Sequence, residues 1–192
     1  MNIKTITCHN VYNLGASLQA YALAAYLQGQ GHEVEIIVYQ PLYLRHYRLA
    51  GVPNSRFDKL FLREAYQIAK FPGRLYDRLT SKRKKTFDRF TAEYLPVTQT
   101  TYSDIAALRT APPEADLYIA GSDQIWNPLF RNGKDPAFFL DFVPEGKRRI
   151  SYAASFAVER LEKQDVNRMK PWLEQLDAVS VRESSGMALL DD

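Results

Sequence analysis

Asn2-Ile3-Lys4-Thr5-Ile6-Thr7-Cys8, the loop Asn10–Gly15, the run Ser17–Gln28 (SLQAYALAAYLQ) and Glu33-Val34-Glu35-Ile36-Ile37-Val38-Tyr39 together decide the fold. Residues 2–8 alternate apolar and polar with β-branched side chains, which predicts a strand. Asn13 and Gly15 form a turn. The Ala- and Leu-rich run that follows has no breaker, so it predicts a helix. Leu18, Tyr21, Ala22, Ala25 and Tyr26 fall on one face, which Leu23 and Leu27 widen. A helix so nearly apolar all round is expected to lie buried against a sheet. Gly29 and Gly31 end it, and residues 33–39 make a second strand, stopped by Gln40-Pro41. Strand, loop, helix and strand in this order predict parallel pairing with a right-handed crossover.

Working outward, residues 42–95 change character. Leu60, Phe61, Ala65 and Ile68 make one helical stripe, and Leu75, Leu79, Phe87, Phe90 and Tyr94 another, broken by the charge run Ser81–Lys85. This reads as a helical insertion carried on the sheet domain and ended by Leu95-Pro96-Val97-Thr98. Ser103 is placed to cap a short helix, Asp104–Arg109. Beyond the loop at Pro112-Pro113, a third strand is expected at Asp116–Ala120 and a fourth at Ile150–Ala154. A helix is expected over Leu161–Leu176, a fifth strand at Ala178–Val181 and a last helix from Ser184. Strands alternating with helices imply an α/β fold: a doubly wound, mostly parallel, Rossmann-like sheet with a helical insertion, in a single domain spanning 1–192.

Composition narrows the function classes. The chain has 192 residues, 46% of them hydrophobic and 24% charged, and one cysteine, Cys8. A disulfide framework and a Cys-cluster zinc site are excluded. His9, His32 and His46 are too scattered for a helical metal-binding pair, so no metal is expected. No apolar run is long enough to cross a bilayer and no signal peptide is read, so a reducing, cytoplasmic setting is expected. The net charge of +3 hides an asymmetry. Residues 45–85 hold twelve Lys/Arg against three Asp/Glu, a local +9; the remaining thirteen basic and nineteen acidic residues carry −6. Such a split suits either a solvated helix face or an anionic partner. Nucleic acid is disfavoured, because the basic stretch has no recognition motif and its apolar positions read as core.

In parallel α/β sheets ligands bind beyond the carboxyl ends of the strands. That rule selects His9–Gly15, Gly121–Asn127, Ala154-Ser155-Phe156 and Arg182-Glu183-Ser184. The first runs into a helix N-terminus suited to anions, with Gly15 allowing close approach. No dinucleotide or phosphate-loop glycine pattern is present. His9 reads either as a proton-transfer group or as a satisfied, partly buried histidine. Gly121-Ser122-Asp123-Gln124-Ile125-Trp126-Asn127-Pro128 crowds hydroxyl, carboxylate, amide and indole into one stretch, a mixture suited to sugar recognition. The alternative is a capped turn with a core tryptophan. Arg182 and Glu183 read as a structural ion pair or as an anion clamp, and Cys8 reads as core within its strand.

These same residues carry a resemblance. Asn13-Leu14-Gly15 with Leu18-Gln19-Ala20-Tyr21-Ala22-Leu23, Gly121–Pro128, Phe139-Leu140-Asp141-Phe142, Ile150-Ser151-Tyr152-Ala153-Ala154-Ser155-Phe156 and Asp177–Glu183 stand in the order of the polysaccharide pyruvyl transferase family. The resemblance covers nearly the whole chain except the insertion at 42–95. It implies one half of a GT-B-like architecture, with the C-terminal domain not contained in this chain, and an isolated chain without activity. It implies transfer of a pyruvyl group from phosphoenolpyruvate, the donor substrate, to sugar hydroxyls of a surface polysaccharide or its precursor, with no cofactor. Within that frame His9 or Asp123 is expected to move the proton. Asn13, Gly15 and the first-helix N-terminus would contact an anion or sugar hydroxyl. Ser122, Gln124, Trp126 and Asn127 would hold the acceptor, Ser155 would lie beside it, and Arg182 would face the cleft and the donor or the C-terminal domain. Many members carry Asn-x-Gly-Asp in the first loop; here Ala16 follows Gly15, and a carboxylate is lost. The basic stretch 45–85 could hold the enzyme peripherally at an anionic membrane face. Competing expectations are a glycosyltransferase half and a non-catalytic module binding anionic glycans.

Overall fold

The computed structural model describes residues 1–44, 72 and 81–191. The stripe Leu60, Phe61, Ala65 and Ile68, the positions Leu75 and Leu79, His46 and the basic residues 45–78 lie outside the described residues. Five strands, β1 (Asn2–Ile6), β2 (Glu33–Tyr39), β3 (Val97–Tyr102), β4 (Leu117–Gly121) and β5 (Arg148–Tyr152), form one sheet in the order β3-β2-β1-β4-β5. Every pairing is parallel, with Ile3 opposite both Val34 and Leu117. The helices are α1 (Leu14–Gly29), α2 (Lys82–Tyr94), α3 (Ile105–Thr110), α4 (Lys163–Leu173) and α5 (Ser184–Asp191). Two 3-10 turns, Asn132–Lys134 and Pro136–Phe139, lie between β4 and β5. The α/β, doubly wound, Rossmann-like arrangement is therefore present.

Strand alternation splits the core in two. Ile3, Val34, Ile36 and Ile119 pack with Ala20, Leu23 and Ala24 of α1. Ile6, Ile37, Tyr39, Tyr118 and Ala120 join the larger cluster of Trp126, Phe138, Phe139, Phe156 and Met169. Helix α1 presents the face opposite to the one expected: Ala16, Ser17, Ala20, Leu23 and Ala24 are buried, while Leu18, Tyr21 and Tyr26 are exposed. Small residues let the helix axis approach the sheet, and the bulkier side chains point outward. There Tyr21 meets Phe90 and Tyr94 of α2 edge-on, with centroids 6.2 and 6.3 Å apart.

Other boundaries move for identifiable reasons. α1 begins at Leu14, because Asn13 Oδ1 accepts the Ala16 N–H at 3.1 Å and caps it. α3 is capped by Asp104 instead of Ser103, its Oδ1 accepting from Ala107 N at 2.8 Å. The segment expected to close the insertion forms β3, an edge strand on which only Thr98 and Tyr102 are buried. Thr98 Oγ1 accepts from Val38 N at 3.0 Å, where the β2–β3 register shifts. The expected fifth strand at 178–181 shrinks to two isolated parallel bridges, Ile150–Ala178 and Ala154–Val181. β1 ends at Ile6, so Cys8 lies beyond the strand and is buried.

Candidate functional site

The strand order reverses between β1 and β4, and in such sheets that switch point opens a crevice at the carboxyl ends. The loop after β1 (Thr7–Asn13) and the loop after β4 (Ser122–Asn127) flank it. Gly121 makes the second loop possible: at φ 144° a Cβ there would sit 2.0 Å from the Tyr152 carbonyl oxygen. Only glycine lets the end of β4 pass β5 this closely.

A residue without an expected role holds the crevice together. Gln19, on α1, donates from Nε2 to Thr7 Oγ1 and to the Ala16 carbonyl, both at 2.9 Å. Its Oε1 accepts from the Ser122 backbone N–H at 3.3 Å. One side chain thus ties the exit of β1, the first helix and the exit of β4. Arg182 completes the clamp on the same residue, its Nη2 donating to the Ser122 carbonyl at 3.0 Å. Arg182 and Glu183 are therefore neither paired with each other nor equivalent. Glu183 Oε1 accepts from Ser155 Oγ at 2.9 Å and from Ala157 N at 3.1 Å. The signal for Gln19 was its place inside the Leu18–Leu23 motif; nothing in its spacing announced the contact with residue 122.

Asp123 lies beside this clamp. Its carbonyl accepts from Ser155 N at 3.0 Å and its Oδ1 from Gln124 N at 2.7 Å. Burial raises its carboxyl pKa, with the Gln124 N–H and the Arg182 charge pulling the other way. A carboxyl that retains its proton more readily than usual is suited to general acid work. His9 is only 2% exposed. Its Nδ1 lies 3.3 Å from the Thr7 carbonyl, which can only accept, so the neutral ring carries its proton there. Its Nε2 is buried without a hydrogen-bond partner. Burial lowers the imidazole to about 4, the Thr7 carbonyl opposing. Burial likewise pushes the Cys8 thiol up, reinforced by Asp123 and Asp135, which removes it as a thiolate nucleophile.

The remaining expected site residues divide. Asn13 spends its side-chain oxygen on capping α1, and Gly15 is exposed in the first helical turn. Gln124 is exposed, whereas Asn127 is buried, its Oδ1 accepting from Leu129 N at 3.0 Å. Trp126 corrects the expectation of a sugar platform. It is fully buried, stacks on Phe139 at 5.4 Å, tilts against Phe156 and donates Nε1–H to the Phe138 carbonyl at 3.0 Å. Both its faces and its polar edge are occupied by core, so it cannot receive a sugar ring. Among the described residues no group of three His, Cys, Asp or Glu could hold a metal ion, and no helix is long and apolar enough to cross a membrane.

The family model for polysaccharide pyruvyl transferase matches residues 13–192. The chain belongs to the polysaccharide pyruvyl transferase family. No curated protein and no solved structure gave a match. The pyruvyl transferase match takes in α1 with Gln19, the whole loop after β4, and Arg182 with Glu183; Thr7 and His9, at the exit of β1, precede it.

Proposed function

We propose that this chain is the N-terminal domain of an enzyme that transfers pyruvyl from phosphoenolpyruvate to two hydroxyls of a sugar on a surface polysaccharide or its precursor. The observation that carries the reading is Asp123: a carboxyl with a raised pKa beside the Gln19–Ser122–Arg182 clamp at the switch point. Phosphoenolpyruvate is an enol phosphate ester, and its methylene carbon must take up a proton before its C2 is attacked. Asp123 supplies that proton. A sugar hydroxyl then bonds to C2 and returns its proton to the Asp123 carboxylate. A second hydroxyl bonds to the same carbon as the C2–O bond to phosphate breaks, its proton leaving with phosphate. The product is a carboxyethylidene ketal plus inorganic phosphate. His9, buried and neutral, is better placed as a hydrogen-bonding wall than as the acid. Arg182 orients Ser122 and opposes ionisation of neither substrate carboxylate nor phosphate, both of which need cations. The donor's further anion contacts are assigned to a C-terminal domain. A location at the cytoplasmic membrane face, through the basic stretch 45–85, belongs to the same proposal.

The test is made on the product of the natural gene. Incubation with phosphoenolpyruvate and a candidate glycan should release phosphate only when the glycan is present, with the ketal appearing on it by mass spectrometry. Turnover of a nucleotide sugar, with none of phosphoenolpyruvate, would move the chain to the glycosyltransferase alternative.

A further inference from the structure

A carboxyl delivers its proton to a defined point only if the main chain that carries it is fixed. At Asp123 both flanking peptides are tied. The carbonyl before it, that of Ser122, accepts from Arg182 Nη2 at 3.0 Å. Its own carbonyl accepts from Ser155 N at 3.0 Å. The N–H of that second peptide, on Gln124, donates to Asp123 Oδ1 at 2.7 Å. Because each peptide is a rigid plane, holding the planes on both sides of the Asp123 Cα fixes its φ and ψ, and the Gln124 N–H fixes the side chain.

Both ties lead to consecutive residues of one segment. Arg182 makes the first itself. The second comes from Ser155, which Glu183 holds in turn. Ser155 is buried, and its Oγ donates to Glu183 Oε1 at 2.9 Å. The same oxygen accepts from Ala157 N at 3.1 Å. The main chain here needs such support. Ala153 and Ala157, on either side of Ser155, lie in the left-handed region at φ 51° and 52°, which costs free energy for any residue but glycine. Main-chain bonds lace residues 180–183 only as far as Ala154: Ala154 N donates to the Ser180 carbonyl at 3.2 Å and Arg182 N to the Ala154 carbonyl at 2.9 Å. From Ser155 to Ala157 the tie to this segment is the Glu183 side chain, an anionic oxygen taking two donors. Glu183 forms no ion pair among the described residues, so these hydrogen bonds are what its side chain contributes.

We propose that Glu183 is a positioning residue for the reaction at Asp123: by holding Ser155 it aims the Asp123 carboxyl from one side, as Arg182 does from the other. This role rests on the reaction proposed for Asp123; the tether itself does not. The experiment uses the full-length gene product and its Glu183→Ala, Glu183→Gln and Ser155→Ala variants, with kcat and KM read from acceptor-dependent phosphate release. A misplacement of about 1 Å can cost on the order of 10²-fold in rate, so Glu183→Ala should lower kcat by about ten- to a hundredfold. The KM for phosphoenolpyruvate should stay within about twofold, because no contact with the donor is removed. Glu183→Gln keeps an oxygen that accepts from Ser155 and Ala157, and should recover most of the lost kcat. Amide exchange reads the tether without activity: at Ser155 and Ala157 it should accelerate by about tenfold or more in Glu183→Ala, less in Glu183→Gln, with β1 unchanged. Should Glu183→Ala fail to fold, Ser155→Ala removes the same hydroxyl bond alone and carries the same prediction at a smaller size. An unchanged kcat in the folded Glu183→Ala variant, a loss confined to KM, or a Glu183→Gln variant as slow as Glu183→Ala would each overturn the proposal; the last would mean that the charge acts and not the tether. Wild-type turnover with any of these results sinks this inference alone. A wild type that turns over no phosphoenolpyruvate sinks the proposed reaction and this role for Glu183 with it, whatever the exchange rates show.

Discussion

Trp126 and Asn13 show how one residue type can serve core or site according to what surrounds it. Trp126 sits among polar neighbours in sequence, yet its ring lies between Phe139 and Phe156. Removing it leaves a cavity in the larger core cluster, so Trp126→Ala should cost about 3–5 kcal/mol in urea unfolding. If Trp126 were a sugar platform, the same change would weaken glycan binding and leave stability almost intact. Asn13→Ala removes the cap on Ala16 N and should lower stability by about 1 kcal/mol, seen as a shifted midpoint with an unchanged slope. Gln19→Leu breaks three hydrogen bonds that converge on the crevice. Its loss should reduce turnover more than it reduces stability, because the Ser122 peptide loses one of its two tethers. Equal losses in both would assign Gln19 a purely structural role.

At the scale of elements, α2 has no fully buried residue, yet it is pinned to the loop after β1. Arg83 Nη2 donates to the Tyr12 carbonyl at 2.6 Å, Tyr12 Oη donates to Asp88 at 3.1 Å, and Phe87 meets the Tyr12 ring edge-on. Tyr12→Phe removes the bond to Asp88 and keeps the ring. Amide exchange over Lys82–Tyr94 should then accelerate by up to about tenfold while that of β1 stays unchanged. The same scale shows what was legible. β1, α1, β2 and β4 could be read because their apolar patterns are strong and their flanks carry turn residues. The inward face of α1 could not, since both faces are apolar and periodicity then carries no phase. The size of the side chains, alanine against the sheet, decided it. β3 was missed because an edge strand with one sheet neighbour needs little apolar content, and in Val97–Tyr102 only the two end residues are apolar. The crevice was placed by the rule of strand ends, and the family motifs marked Ser122, Asp123 and Arg182. Its tether Gln19 depends on a contact 103 residues apart in sequence, which no local pattern encodes.

For the whole molecule, His9 couples the crevice to global stability. The fold holds its imidazole at about 4 instead of the ordinary 6.5, so between those values the unfolded chain binds the extra proton. Stability therefore falls as pH drops from about 6.5 toward 4 and is constant in this respect below, a contribution of as much as about 3 kcal/mol. His9→Gln should flatten that part of the stability–pH curve, measured by urea unfolding at pH 4.5 and 7, whatever its effect on activity. Asp123 acts with the opposite sign: its raised carboxyl favours folding at low pH, and that contribution is lost as pH rises through its folded pKa. The proposed reaction uses the protonated form, so pyruvyl transfer should fall as pH rises through the same range. The most direct measurement is the pH–rate profile of acceptor-dependent phosphate release by the full-length gene product and its Asp123→Asn variant. Loss of about 10²–10⁴-fold in rate, with the wild-type decline toward high pH gone and the fold intact, is the predicted result. A variant that keeps the wild-type rate and profile would contradict the assignment of Asp123 as the proton donor, and with it the switch-point crevice as the site of pyruvyl transfer.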